Sequence, residues 1–458
     1  MYDEIKFDNC SHSKDPMVGC ALEGAAGVLA GIRDISIVIH SPQGCSATVS
    51  AAYDVHEIDF TRRKVACTRL FETDIVMGAS DKLKKLIKEA DSKFKTGAIF
   101  VIGTCAADII GEDIEGLCRN IQPQINARLI PVMSGGFRGN AYDGIELGLN
   151  ALFPFIKRQE EKIPNSVNLI APQANLNPTW WADLKWVRGI FEKIGIKVQA
   201  VLPHDTSLEE LENAGLASAD ILLSHDTGHK FGLKMQEIHD IPLILSDIPL
   251  PVGLTNTARW LRAVGQYFGV EEKVEEMIKE GENLAIDVLR RRGLMMIPRY
   301  RNCKVAVSAD ATMGIGLIRM LFEELEMIPE LLLFRSSVPY SRLLLENELK
   351  DMGIAPKVVF SADGYQIKQS LNDRCVDAVF GSSWEYYLAE ELGIKFAFDV
   401  FNPTNRENYL NKAYFGYEGM LNFLENVAND WERALRSKQI HREEYPRNQT
   451  HVLIRDDI

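Results

Sequence analysis

Three cysteines early in the chain stand at small-residue turns. Cys20 opens Cys20-Ala-Leu-Glu-Gly24, Cys45 closes Ser41-Pro-Gln-Gly-Cys45, and Cys105 follows the apolar run Ala98-Ile-Phe-Val-Ile-Gly103. Thiolates presented at strand ends beside glycines are candidate ligands of an iron–sulfur cluster, because a cluster takes soft donors and backbone amides must come close to its sulfides. Cys67 lies in the polar stretch Lys64-Val-Ala-Cys-Thr-Arg-Leu-Phe71, near the other three in sequence, and its participation stays open. Of the remaining cysteines, Cys10 falls in the amino-terminal stretch, Cys118 on a helix, and Cys303 and Cys375 beside strands. Core packing is the expectation for those last three.

Other motifs are weaker. Met313-Gly-Ile-Gly316 follows a strand but lacks the third glycine of a dinucleotide fingerprint, since position 319 is arginine, so close helix–strand packing explains it better. No G-x-x-x-x-G-K-[ST] loop is present, which assigns any ATP hydrolysis to a partner. His225 and His229 have helical i, i+4 spacing, but Gly228 between them weakens the helix and no third zinc ligand is evident, so a loop or structural role is expected.

The elements that must position the thiols alternate between apolar strands and amphipathic helices. Asp34-Ile-Ser-Ile-Val-Ile-His40, Ala98 to Gly103 and Arg128-Leu-Ile-Pro-Val-Met133 read as strands, with helical spacing from Asp81 to Ala90 and a helix start after Cys105. Glu112 and Asp113 there suit the positive end of a helix dipole, or an acidic docking face for an electron donor. Lys157 to Asn165 reads as a linker, and the pattern restarts at Val167-Asn-Leu-Ile-Ala171 and again at Lys304-Val-Ala-Val-Ser-Ala-Asp310, with a long amphipathic segment from Thr255 to Arg292 between them. The fold class is therefore α/β: three doubly wound, Rossmann-like parallel-sheet domains, over residues 1–160, 161–295 and 296–458.

Composition narrows the function. With 51 basic and 64 acidic residues, the net charge of −13 argues against a general nucleic-acid binder. The amino terminus lacks a signal sequence and no apolar run is long enough to span a bilayer, so no membrane association and a cytoplasmic location are expected. Eight cysteines in such a setting are thiols or metal ligands rather than disulfides.

The ordered set Cys20-Ala-Leu-Glu-Gly-Ala25, His40-Ser-Pro-Gln-Gly-Cys45, Phe71-Glu-Thr-Asp-Ile-Val-Met-Gly78, Thr104-Cys-Ala-Ala-Asp-Ile-Ile-Gly-Glu-Asp113 and Gly136-Phe-Arg-Gly139, with Gly416-Tyr-Glu-Gly419 near the end, resembles the subunits of nitrogenase component 1, the molybdenum-iron protein superfamily. The resemblance implies three α/β domains. It also implies that Cys20, Cys45 and Cys105 are one subunit's share of a P-cluster-type iron–sulfur centre ([8Fe-7S] or [4Fe-4S]) at the interface with a homologous component 1 subunit, in an α2β2 heterotetramer. Electrons would come from a separate ATP-hydrolysing iron protein.

Where the family's cofactor-bearing subunit has an anchoring cysteine and histidine, this chain reads Leu222-Leu-Ser-His-Asp-Thr-Gly-His229 and Phe398-Asp-Val-Phe-Asn-Pro-Thr-Asn-Arg406. The complex Fe–S cofactor is therefore expected in the partner subunit. Two functions follow from the resemblance. One is a β-type, electron-relaying subunit of a nitrogenase-like reductase outside the nitrogen-fixing group, such as methylthio-alkane reductase with its reductive C–S cleavage. The other is a cofactor-assembly scaffold that holds and transfers a cluster precursor.

Overall fold

In the chain's structure, a computed structural model, residues 7–9, 18–55, 57–59, 61, 63–171, 177–292, 297–336, 338–406 and 412–442 are described. Strand β1 (Phe7–Asn9) leaves the amino-terminal unit and joins the last sheet. The first sheet is built from β2 (Ile35–His40), β3 (Val65–Cys67), β4 (Ala98–Gly103) and β5 (Arg128–Met133), in the order β3-β2-β4-β5. The second contains β6 (Ser166–Ile170), β7 (Lys197–Leu202), β8 (Ala219–Leu222) and β9 (Leu243–Ile244), in the order β7-β6-β8-β9. The third adds β10 (Lys304–Ala309), β11 (Ile328–Phe334), β12 (Lys357–Phe360), β13 (Ala378–Gly381) and β14 (Phe396–Asp399), ordered β1-β12-β11-β10-β13-β14.

All strand pairs are parallel. Parallel strands need helical crossovers that cover both faces, which is why β2 and β4 are buried at every position and are mostly apolar, with Ser36 and His40 the polar residues of β2. In β2, Ile37 and Ile39 enter the core beneath the helices Ala21–Ala30 and Ala141–Leu152, while Val38 joins the opposite core with Leu83, Ile87 and Leu117. The expected α/β class with Rossmann-like parallel sheets is the observed one.

Those two helices cross at glycine contacts. A Cβ on Gly24 would lie 1.9 Å from the Ala141 carbonyl oxygen, and one on Gly144 would lie 2.0 Å from that of Ala21. Ala21 is bonded to Cys20, so this contact fixes where the first thiol begins. We expect Gly144→Ala to force the backbones apart and to cost about 1–3 kcal/mol, the usual range for overpacking, read as a lower urea midpoint with unchanged slope.

The segment from Thr255 to Arg292 is carried by two helices. Gly253–Phe268 ends at Gly269, whose φ of +66° turns the chain left-handed, and Glu271–Arg292 begins beyond it. Tyr417 of the helix Gly416–Arg442 packs against Gly281 of the second. Gly314 lets its helix approach the Phe334 ring, where a Cβ would be 2.2 Å away, which is the packing role expected for Met313–Gly316. Among the described residues, no helix is long and apolar enough to cross a membrane.

Candidate functional site

The carboxyl edge of the first sheet carries the thiols. β2 ends at His40, in register with Gly103 at the end of β4. From His40 the chain turns through Ser41 and Pro42 into the helix Gln43–Val55, which carries Cys45 in its first turn. From Gly103 it passes Thr104 into the helix Cys105–Ile110, of which Cys105 is the first residue. Cys20 comes from outside the sheet, at the N-cap of the helix Ala21–Ala30, with an extended backbone bridged to Asn140. The fold thus brings the three expected residues to one edge, each at the amino end of a helix.

All three are half-buried, and so is Cys67. The Cys45 thiol is pushed above its ordinary pKa, first by burial and then by the neighbouring Cys105, Cys20 and Cys67 sulfurs. The four sulfurs therefore share one electrostatic neighbourhood. The Gly136 amide donates a hydrogen bond to Cys105 Sγ at 2.8 Å, across a turn in which a Cβ on Gly135 would lie 3.1 Å from the Cys105 nitrogen. Two buried polar atoms at the ends of flanking strands, His40 Nδ1 and Ser134 Oγ, have no hydrogen-bond partner among the described residues.

Among the described residues, no three His, Cys, Asp or Glu side chains converge tightly enough for a single metal ion. In donor chemistry, soft sulfurs with the Gly136 amide on Cys105 and a glycine turn beside it suit an iron–sulfur group.

A buried hydrogen-bond hub holds this edge together. His40 Nε2 lies 2.7 Å from Glu112 Oε2, while Glu112 Oε1 accepts from the Ser80 hydroxyl at 2.5 Å and the Ala79 amide at 3.2 Å. The Thr104 hydroxyl donates to the His40 carbonyl at 2.8 Å. Glu112 is thus no part of a docking face. Its side chain is only 5% exposed and ties the strand leading to Cys45 to the loop beyond Cys105. Asp113 caps the helix Ile114–Ile121 through the Gly116 amide.

Burial alone would raise the Glu112 pKa, but the Ser80, His40 and Ala79 hydrogen bonds outweigh it and hold the carboxyl below the usual range. A depressed carboxyl adds stability that is present above the unfolded value and lost as pH falls through the native one. Glu112→Gln is expected to cost about 1–3 kcal/mol near neutral pH, the scale of a hydrogen bond to a charged group. Melting curves of the two proteins should converge as the pH is lowered below about 4.

The other cysteines divide. Cys118 and Cys303 are buried as expected, but Cys375 is exposed: it sits in the surface turn between the helix Gly364–Asp373 and β13, beyond the reach of either core. Cys10 lies outside the described residues. His225 is buried in a loop with its Nε2 3.1 Å from the Ile248 carbonyl, and burial lowers its pKa to about 4. His229 begins the helix His229–His239 and stacks on Tyr340 at 4.0 Å. The two are not neighbours on one helix face, in keeping with structural roles.

Ser224 to Thr227 meets the third unit through Thr312 and Ser336. Asp226 accepts the Thr312 amide and the Ser336 hydroxyl, and the His225 amide donates to the Thr312 hydroxyl. In residues 398–406, Asp399 accepts from the Asn405 amide, and Arg406 pairs with Asp430.

Three parallel-sheet units, with thiols at the carboxyl edge of the first, define an α/β protein of Rossmann-like domains. The chain belongs to the nitrogenase component 1 type oxidoreductases, whose family profile matches residues 20–432. It is 27% identical over 420 residues to the nitrogenase iron-molybdenum cofactor biosynthesis protein NifE of Methanococcus maripaludis, an alignment that takes in 89% of this chain and 82% of that one. It is 26% identical over 430 residues to the nitrogenase molybdenum-iron protein alpha chain of Methanothermobacter thermautotrophicus, covering 89% and 86%. Its fold is similar to that of a solved nitrogenase Cp1 chain, with a TM-score of 0.77 at 18% identity over 95% and 96% of the two chains.

Proposed function

We propose that the chain is a subunit of the catalytic component of a nitrogenase-like, ATP-dependent two-component reductase, with Cys20, Cys45 and Cys105 ligating an iron–sulfur centre of P-cluster type. The observation that carries this reading is the gathering of three half-buried thiols at helix amino ends on one sheet edge. Such a cluster, when bound, supplies one-electron transfer. The chain's own residues do the rest. Ligation displaces the proton of the Cys45 thiol. The Gly136 amide withdraws charge from Cys105 Sγ, which favours the more reduced state.

A homologous subunit is proposed to cover the thiol edge. Val76, Met77, Ile109 and Phe137 are 80%, 84%, 67% and 71% exposed on elements beside the cysteines, and the helix Glu72–Met77 buries none of its residues. So short a helix gains little from its own hydrogen bonds and is stabilised by contacts made around it. Water exclusion by the partner would then help set the cluster's potential. With no phosphate-binding loop in this sequence, ATP hydrolysis belongs to an iron protein, and the cofactor that reduces substrate belongs to the partner subunit.

The NifE relatives favour a second reading, a scaffold that holds a cluster precursor and passes it on. Anaerobic co-purification with the partner separates the two. Catalytic turnover of a methylthio-alkane or another small substrate with iron protein and ATP is the expected result for the reductase. Single-turnover release of the cluster to an apoprotein, without reduction of substrate, would replace that reading by the scaffold.

A further inference from the structure

We propose that a cavity between the first two units binds a small organic cation of the quaternary ammonium class. Ile32, Arg33 and Ile35, which line it, lead into β2 at the end opposite His40 and the turn to Cys45. The helix Ala21–Ala30 likewise has Cys20 at its amino end and the cavity at its carboxyl end, about 15 Å away along the axis. The site is therefore separate from the thiol edge.

The backbone of the cavity is locked across the two units. Beyond the helix, Ile32 bridges Thr206 in strand fashion just after β7. The Arg33 amide donates to the Thr206 carbonyl at 2.9 Å, and the Thr206 amide to that of Gly31 at 3.2 Å. A Cβ on Gly31 would lie 2.2 Å from the Pro203 oxygen, so the close crossing requires glycine there. The wall is thus fixed before any ligand arrives. About 230 Å³ is left open beside it. Sites for drug-sized ligands run from about 300 to 1,000 Å³, so this one suits a ligand of few heavy atoms and is too small for a nucleotide.

Aromatic rings form much of the remaining wall. Trp180 and Trp181 begin the helix Trp180–Ile194, and their rings meet at 70° with centroids 5.3 Å apart, which makes a corner. His204 packs on Trp180 at 4.3 Å and supports that indole. Tyr53, from the helix Gln43–Val55, adds a third wall ring. Its ring already takes a cation, the Arg63 guanidinium at 5.5 Å from the centroid. Aromatic faces carry negative charge density and attract a cation most strongly when little water must be stripped from it. A quaternary ammonium group meets that condition, and it has no N–H to leave unbonded against the rings.

The charges at the rim have the matching sign. Glu57, Asp59 and Asp205 line the cavity together with Arg33. The Arg33 guanidinium is met by Asp205 at 3.6 Å and by Glu210 at 2.6 Å, so it does not offset Glu57 and Asp59, which are exposed. Such a rim draws in a cation and repels an anion of the same size.

The test titrates choline into the full-length chain by calorimetry. The control is its neutral isostere, in which a quaternary carbon replaces the nitrogen. Choline should bind about tenfold tighter or more, the scale of a desolvated cation–π contact. Trp181 is half-buried, and Trp181→Ala should weaken choline about tenfold while Trp181→Phe keeps most of the affinity. Asp59→Asn should weaken it less, by an amount that fades as salt is raised.

Equal binding of choline and its isostere, or no binding of either, refutes the cationic ligand. Choline binding that Trp181→Ala leaves at wild-type strength refutes this cavity as its site. Should Trp181→Ala not fold, Asp59→Asn decides: wild-type affinity for choline at low salt overturns the proposal.

Discussion

Cys45→Ala is expected to strip the chain of most of its iron while leaving the fold intact. Cys45 is the thiol on which the other three converge electrostatically, and it lies in the first turn of a helix entered directly from a central strand of the sheet. Even the outer partners of a metal ligand are worth about 10–100-fold in affinity, so loss of the ligand itself should exceed that range. The side chain is only half-buried and its helix keeps every backbone hydrogen bond, so the melting temperature of the metal-free protein should hardly move. Cys118→Ala should do the reverse. Burial, reinforced by the charges of Glu115 and Asp113, pushes the Cys118 thiol up to about 12, and a thiol held neutral in a core is inert toward metals. Its loss leaves a small cavity and lowers stability by about 1 kcal/mol, with iron content and EPR unchanged. Equal iron in the two variants, measured against anaerobic wild type, would overturn the assignment of Cys45.

Much of this site could be read in the chain because its signals are local. An apolar run ending in a glycine-bearing turn marks a strand end, and a cysteine just beyond it must appear at the sheet's edge; Cys45 and Cys105 are of this kind. The rest depends on contacts between distant segments. Glu112 looks like an acidic helix start, and its bond to His40 spans 72 positions that meet only once β2 and β4 pair. Cys67 sits in a polar stretch whose strand character comes from its register on β2 rather than from its own composition. The same holds for β1, three residues whose pairing partner, β12, is some 350 residues further along the chain. Cys375 adjoins a strand in sequence, but adjacency did not settle which side of the surface it would occupy.

The largest change in stability is expected at the contact between the second and third units. Asp226, in the loop after β8, accepts the Thr312 amide at 2.7 Å, the Thr312 hydroxyl at 2.5 Å and the Ser336 hydroxyl. Alanine there would strand three buried donors, each worth about 1–3 kcal/mol when left unpaired, so a loss of about 3 kcal/mol or more is expected. Its neighbour Asp310 accepts the Met313 amide at 2.9 Å and is equally buried. Burial raises both carboxyls, and the charge of Asp226 raises Asp310 further. With three donors gathered on Asp226, the negative charge of the pair resides there and Asp310 keeps the proton. A carboxyl whose native pKa lies above the unfolded value near 4 weakens the fold as pH rises, because the unfolded chain has already released a proton that the native protein still holds. This loss accumulates from about pH 4 up to the native value and then levels off. Asp310→Asn keeps an oxygen for the Met313 amide but has nothing to ionise. The variant should therefore gain on the wild type steadily as pH is raised, and parallel plots of melting temperature against pH for the two proteins would show that the pair does not share a proton in this way.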